Sequence, residues 1–178
     1  MADLVRLRRL LETDLAALHR WYQSPELWDH LVGEFTPRRE AEAMAHMRRW
    51  LGASPGELRL AIVRDPDGEL LGLAALSPID LDEGEAEFHI FLGEPRMRGR
   101  GYGRAATAAM LAHAFDELAL WRVRLKVLRT NQAALRVYAA LGFELEGPGE
   151  VAVLAMSVTD AVFRQRQAAA LWRTVGAR

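Results

Sequence analysis

Between Leu58 and Leu92 the chain passes through three apolar, strand-like runs joined by two short polar connections. Residues 58–63 and 69–76 flank "RDPDGE", where proline presets a turn and glycine tolerates positive φ. "SPIDLDEGE" makes the second connection, and residues 86–92 form the third run. Three consecutive strands joined by turns specify an antiparallel meander, which limits the fold to one built around a sheet.

The flanking sequence supplies helices for that sheet. Residues 4–10 read as a first strand. Thr13 is placed to cap a short helix whose apolar positions Leu15, Leu18 and Trp21 recur at helical spacing. Ser24-Pro25 restarts a turn of helix, and Thr36-Pro37 begins another that runs to about Leu51, with Gly52 as its stop. Trp28 and Trp50 are expected to pack this helical segment. After the meander come a helix to about Leu118, an alternating strand at 122–128, a helix at 132–141 ending at Gly142, a strand at 151–158 and a final helix at 160–175. The expected fold is α/β (α+β): one domain over residues 1–178 with a mixed, mostly antiparallel sheet flanked by helices. Its core spans about 4–158, and 159–178 form a C-terminal helical extension.

With 178 residues and 51% hydrophobic content, the chain suffices for one well-buried domain. A formal net charge of −1 argues against a general nucleic-acid binder. No apolar run reaches membrane-spanning length, and the N-terminus lacks a signal-peptide pattern. The chain has no cysteine, hence no disulfide framework, thiolate nucleophile or cysteine-based zinc site. We expect a cytoplasmic protein with no metal, no nucleic-acid partner and no membrane partner. Lys126 is its only lysine, in a strand-like run without other signs of an active lysine.

The most chemically suggestive stretch is "RMRGRGYGRAAT", residues 96–107. Glycines at 99, 101 and 103 let backbone N–H groups turn toward a common centre ahead of a helix N-terminus, an arrangement suited to a pyrophosphate. Arg98, Arg100 and Arg104 add forked donors. Gly101-Tyr102-Gly103-Arg104-Ala105-Ala106 also satisfies the dinucleotide fingerprint G-x-G-x-x-A. That fingerprint needs a turn straight out of a strand and an acid about twenty residues on. Here "GEPRMR" intervenes, and Leu128, Arg129 and Thr130 bring no carboxylate, although Arg129 suits an NADP phosphate.

Read instead as Arg98-x-x-Gly101-x-Gly103, the stretch resembles the acyl-CoA-binding signature of the GNAT N-acetyltransferases. "NQAALRVYAALGFE", residues 131–144, is similar to a second block of that family through Asn131, Ala134, Tyr138 and Gly142-Phe143. "AEFHIFLGEP" and the opening "LRRLLETDLAALHRWYQSPELW" resemble the branch that acetylates ribosomal-protein N-termini.

The resemblance implies an acetyl-CoA-dependent N-acetyltransferase. By it, the backbone of Arg98, Gly99, Arg100, Gly101, Tyr102 and Gly103, with Arg104 beside them, holds the pyrophosphate of acetyl-CoA. The backbone near Phe91 and Leu92 pairs with the pantetheine arm, in a slot where the strand of 86–92 splays from that of 122–128. Asn131 contacts the same arm or caps its helix, two compatible roles. Tyr138 protonates the departing thiolate, its ordinary pKa of about 10 keeping the proton available. Glu87 shares a strand face with His89 and Phe91 and is the first candidate base. His89, which stands where relatives usually have a small residue, is the second. Asp29, His30 and Glu34 are weaker candidates.

The acceptor implied by the branch is a protein or peptide α-amine. The acidic run from Asp80 to Glu87 suits a cationic amine such as a polyamine, an aminoglycoside or a basic protein N-terminus, so a small cationic amine is the alternative acceptor. The final hairpin, around "GPGE" at 147–150, is shorter than relatives usually carry. Phe163, Ala170, Leu171, Trp172 and Val175 in the tail suit docking on the chain's own domain or a homodimer contact. A non-catalytic acetyl-CoA sensor is the remaining alternative.

Overall fold

The structure, a computed structural model, describes residues 4–33, 39–52, 54–65, 67–147 and 152–175, with side chains through residue 170. Its elements run β1 (Val5–Arg9), α1 (Leu15–Tyr22), α2 (Pro25–Trp28), α3 (Glu40–Arg48), β2 (Leu58–Arg64), β3 (Leu70–Asp80), β4 (Glu85–Leu92), α4 (Tyr102–Asp116), β5 (Arg122–Leu128), α5 (Gln132–Leu141), β6 (Glu144–Leu145), β7 (Val153–Thr159) and α6 (Asp160–Val175).

The strands form one seven-stranded sheet in the order β1-β2-β3-β4-β5-β7-β6. β1 through β4 make an antiparallel ladder, as the meander requires, and β5, β7 and β6 make another. The two ladders join through a parallel pairing of β4 with β5, which a crossover through α4 makes possible. The mixed, mostly antiparallel sheet with flanking helices and a C-terminal helix is thus present.

Alternation along the strands sorts the core into two layers. Phe88 of β4 and Val123, Leu125 and Val127 of β5 pack with Ala106, Met110, Leu111 and Ala114 of α4, together with Leu141 and Phe163. On the opposite face, Phe91 packs with Leu15, Leu18 and Trp21 of α1, Leu27 and Met47. Tyr22 joins this layer edge-on to Trp28, Trp50 and Phe91, with centroids 5.7, 5.6 and 5.1 Å away, so both tryptophans pack the helical segment. Those helices stop short of β5, whose Arg124 and Lys126 stay exposed on that side.

Several local readings are corrected. α1 is preceded by a 3₁₀ turn at Glu12–Asp14, and Asp14, not Thr13, organises its start. The buried Asp14 carboxylate accepts from the Leu11 N–H at 2.8 Å and from both guanidinium nitrogens of Arg8 at 2.6 and 2.9 Å. Burial alone would raise its pKa, but the Arg8 and Leu11 bonds prevail and hold it below the ordinary carboxylate value. β3 continues through Ser77 and Pro78 to Asp80 instead of ending at Leu76. Register with β4 shifts between Leu76 and Ile79, so the proline, which has no N–H to donate, sits in a bulge and the ladder resumes beyond it. The expected Thr36-Pro37 helix start and most of "GPGE" lie outside the described residues.

The tail docks on its own domain through its first turns. Phe163 is buried with its ring 5.7 Å from that of Phe115, and Arg164 donates to Asp116 at 2.8 Å. The side chains of Leu171, Trp172 and Val175 lie outside the description.

Candidate active site

β4 and β5 pair only at Glu85–Arg122, Ala86–Val123 and Glu87–Arg124. Both strands continue, to Leu92 and Leu128, without further pairing. The expected splay is therefore present, and it leaves the β5-facing backbone of β4 from Phe88 onward without a strand partner. Such an edge calls for hydrogen bonds from water or a ligand. Phe91 anchors this edge on one face in the aromatic layer, while Leu92 faces α4.

At the far end of β4 a short 3₁₀ turn, Pro95–Met97, leads into the glycine stretch. Gly99 and Gly101 have φ of +72° and +86°, conformations that admit an ordinary side chain only with strain. Gly103 differs: it lies in the first turn of α4 without positive φ, and a side-chain carbon there would meet only the Leu92 Cδ1, at 3.9 Å. A methyl group there would make that one ordinary contact and no clash. The guanidinium groups of Arg98, Arg100 and Arg104 have no carboxylate partner among the described residues, whereas the nearby Arg96 pairs with Glu69 at 3.0 Å. An open helix N-terminus with uncommitted cations fits an anionic phosphate group. Tyr102 contributes differently from its neighbours. Its ring is buried in the core and its hydroxyl meets Arg64, leaving its backbone N–H as the part available to a ligand.

Asn131 sits where β5 gives way to α5 and caps that helix, its Oδ1 accepting from the Ala134 N–H at 3.1 Å. Its Nδ2 donates to the backbone carbonyl of His30 at 3.2 Å, tying the segment after α2 to the end of β5. Asp29 and His30 are otherwise exposed, and Glu34 lies outside the described residues. Two helical turns on, Tyr138 is 8% exposed, beside Phe143 with ring centroids 5.5 Å apart. Its hydroxyl has no hydrogen-bond partner among the described residues, and burial pushes its pKa up to about 12. The ring is buried, yet the hydroxyl oxygen itself keeps contact with solvent, so it is open to a ligand.

Glu87, at the foot of the splay, has its carboxylate 3.5 Å from Lys126 Nζ and 3.9 Å from His89 Nε2. His89 also lies 2.8 Å from the carbonyl oxygen of Ser77. Beside them is a cleft of about 440 Å³ lined by five carboxylates (Asp80, Glu83, Glu85, Glu87 and Glu146) and two cations, Arg124 and Lys126. Glu85 pairs with Arg122 and Arg124, and Glu146 with Arg122. Glu146, Arg124 and Lys126 escaped the sequence reading as site residues because only the β4–β5–β7 packing brings them to Glu87. Among the described residues no group of His, Cys, Asp and Glu side chains is arranged to hold a metal, and no helix is long and apolar enough to cross a membrane.

A mixed sheet parted between two parallel strands, with a glycine turn opening the helix between them, is the arrangement that the resemblance to the acetyltransferases implies. The profile of the acetyltransferase (GNAT) domain matches residues 5–144, most of the chain, and the protein belongs to that family. It is an N-acetyltransferase that uses acetyl-CoA. The chain is 26% identical over 142 residues to the uncharacterised N-acetyltransferase p20 of Bacillus licheniformis, covering 79% of each chain. It is 26% identical over 164 residues to the spermidine N(1)-acetyltransferase of Escherichia coli K12, covering 82% of this chain and 76% of that one. The fold is similar to that of the spermidine N-acetyltransferase of Vibrio cholerae in complex with CoA and spermine. The TM-score is 0.81 at 22% identity, covering 90% of this chain and 98% of that one. Membership of the ribosomal-protein branch does not follow from these matches.

Proposed function

We propose that this chain transfers the acetyl group of acetyl-CoA to a primary amine of a small polycation of the polyamine class. The observation that carries this reading is the acidic cleft beside Glu87. Its five carboxylates outnumber the three cations paired with them, Arg122, Arg124 and Lys126, and give an excess of negative charge at the foot of the splay. Low-dielectric walls focus such a field and raise the local concentration of a cation. The spermidine acetyltransferases among its relatives support the same class of acceptor. A protein α-amine, the acceptor expected from the branch motifs, has no comparable support.

In this reading the N–H groups of residues 98–103 and the arginines beside them hold the pyrophosphate of acetyl-CoA. The bare edge of β4 at Phe91 and Leu92 takes the pantetheine arm, with Asn131 on its other side. Acetyl-CoA supplies an activated thioester; the protein's residues handle protons and position. Glu87, directly or through water, accepts a proton from the incoming ammonium, and His89 is placed to share that role. Tyr138 remains protonated at neutral pH and donates to the departing sulfur, a partner its otherwise unpaired hydroxyl lacks.

The test is thiol release from acetyl-CoA with spermidine, spermine, an aminoglycoside and a panel of peptide N-termini, run beside Tyr138→Phe. Turnover with the polyamines, reduced at least about tenfold by the substitution at little cost in KM, is expected. Turnover confined to peptides would replace the proposed acceptor. Tight coenzyme A binding without turnover of any amine would replace catalysis with sensing.

A further inference from the structure

Lys126 is the only lysine in a chain that carries 23 lysine and arginine residues. It stands on β5 two residues beyond Arg124, the last β5 residue paired with β4. Its side chain is 56% exposed on the same side of the sheet as Glu87, and its Nζ lies 3.5 Å from Glu87 Oε2. A primary amine is thereby held against the carboxylate proposed to take the acceptor's proton, at the mouth of the gap proposed for the thioester. An exposed pair of this kind adds at most about 1 kcal/mol, so the contact leaves the side chain free to swing on its four-carbon stem.

We propose that Lys126 Nζ is itself an acetyl acceptor, so that the chain modifies its own acceptor cleft. The inference rests on the acetyl-CoA reading of the slot. Glu87 takes one proton from the Nζ ammonium and passes it to solvent. Nζ then forms a bond to the acetyl carbonyl carbon while the carbon–sulfur bond breaks. Tyr138 gives its proton to the departing sulfur and recovers one from the same nitrogen. The products are an acetylated Lys126, coenzyme A as the free thiol and one proton. Acetylation removes the positive charge of Lys126, releases Glu87 from its cation and leaves Arg124 as the one cation among the charged residues lining the cleft. The modified chain therefore holds a polycation more tightly.

The experiment incubates the purified chain with acetyl-CoA and no acceptor and follows intact and peptide masses with time, with spermidine turnover measured in parallel. One acetyl increment is expected at Lys126, at a first-order rate independent of protein concentration. That rate is at least about tenfold above the rate in heat-denatured chain, and Glu87→Gln slows it by a similar factor. Lys126→Arg keeps a cation beside Glu87, and with an unchanged circular dichroism spectrum it is expected to take up no acetyl group. The fully modified chain is expected to show a lower KM for spermidine. Acetylation no faster than in denatured chain or at the chain's α-amine, or a rate that rises with protein concentration, would overturn the proposal. Spermidine turnover with no acetyl on Lys126 would overturn self-acetylation and leave the proposed function standing. Failure of both with coenzyme A still bound would overturn both.

Discussion

The Trp21 indole N–H donates to Glu94 Oε1 at 2.8 Å, and the same ring fills the space above Gly93, where a side-chain carbon would come within 1.9 Å of it. Arg20 reaches the same carboxylate oxygen at 2.8 Å. α1 is thereby fastened to the two residues that join the bare end of β4 to the glycine turn.

Trp21→Phe keeps a six-membered ring and removes the donor together with the rest of the indole. A hydrogen bond to a charged group contributes about 1.5–3 kcal/mol, and a loss of that order is expected in denaturant unfolding at neutral pH. The bonds from Trp21 and then Arg20 hold the Glu94 carboxyl below its ordinary value. A depressed carboxyl contributes stability that is fully present above its unfolded pKa, about 4.3, and lost as pH falls through the lower folded value. The difference between wild type and variant should therefore be constant above about pH 5 and narrow below pH 4. A difference that persists at its neutral value in strong acid would mean that ring packing, not the bond to Glu94, is what the substitution disturbs.

Gly103→Ala separates the needs of the fold from those of the ligand. The position has room for a methyl group and lies in a helix, where alanine is favoured over glycine by about 1 kcal/mol. Thermal stability is expected to hold or rise. The added carbon stands where the proposed phosphates approach the first turn of α4, so the KM for acetyl-CoA is expected to rise about tenfold or more. An unchanged KM would place the phosphates elsewhere.

Asn131→Asp and Asn131→Ala pull apart the two bonds of one side chain. Aspartate caps α5 as well as asparagine does, while alanine costs about 1 kcal/mol. Aspartate cannot donate to the His30 carbonyl and repels it. Hydrogen exchange at Asp29–Gly33 should quicken in both variants, whereas loss of the cap lowers the unfolding free energy by about a further 1 kcal/mol in the alanine variant alone. Unchanged exchange would show that other contacts hold the segment.

What could be read from the sequence was what local chemistry decides. The meander, the glycine turn ahead of α4, the cap at Asn131 and the alternation that puts Glu87, His89 and Phe91 on one face all depend on neighbours within a few residues. The extension of β3 through Pro78 was hidden because a bulge excuses a proline only when the partner strand shows its register. Asp14 was hidden because its value to α1 depends on Arg8, which reaches it from the preceding strand. Tyr102 belonged by position to a cofactor motif, but its ring serves the core. Lys126 and Glu146 acquire meaning only once β5 and β7 lie beside β4, and the bond between Asn131 and His30 spans 101 positions.

The three-pair contact between β4 and β5 has a further consequence for how such a chain can diversify. A ligand seated on the bare edge of β4 is recognised by main-chain groups that every substitution except proline preserves, so drift in side chains has little power to abolish it. The walls around Glu87 are side chains throughout and are open to replacement one at a time. On the proposed binding, recognition of the thioester donor and recognition of the amine are thus decoupled at the point where the ladder stops.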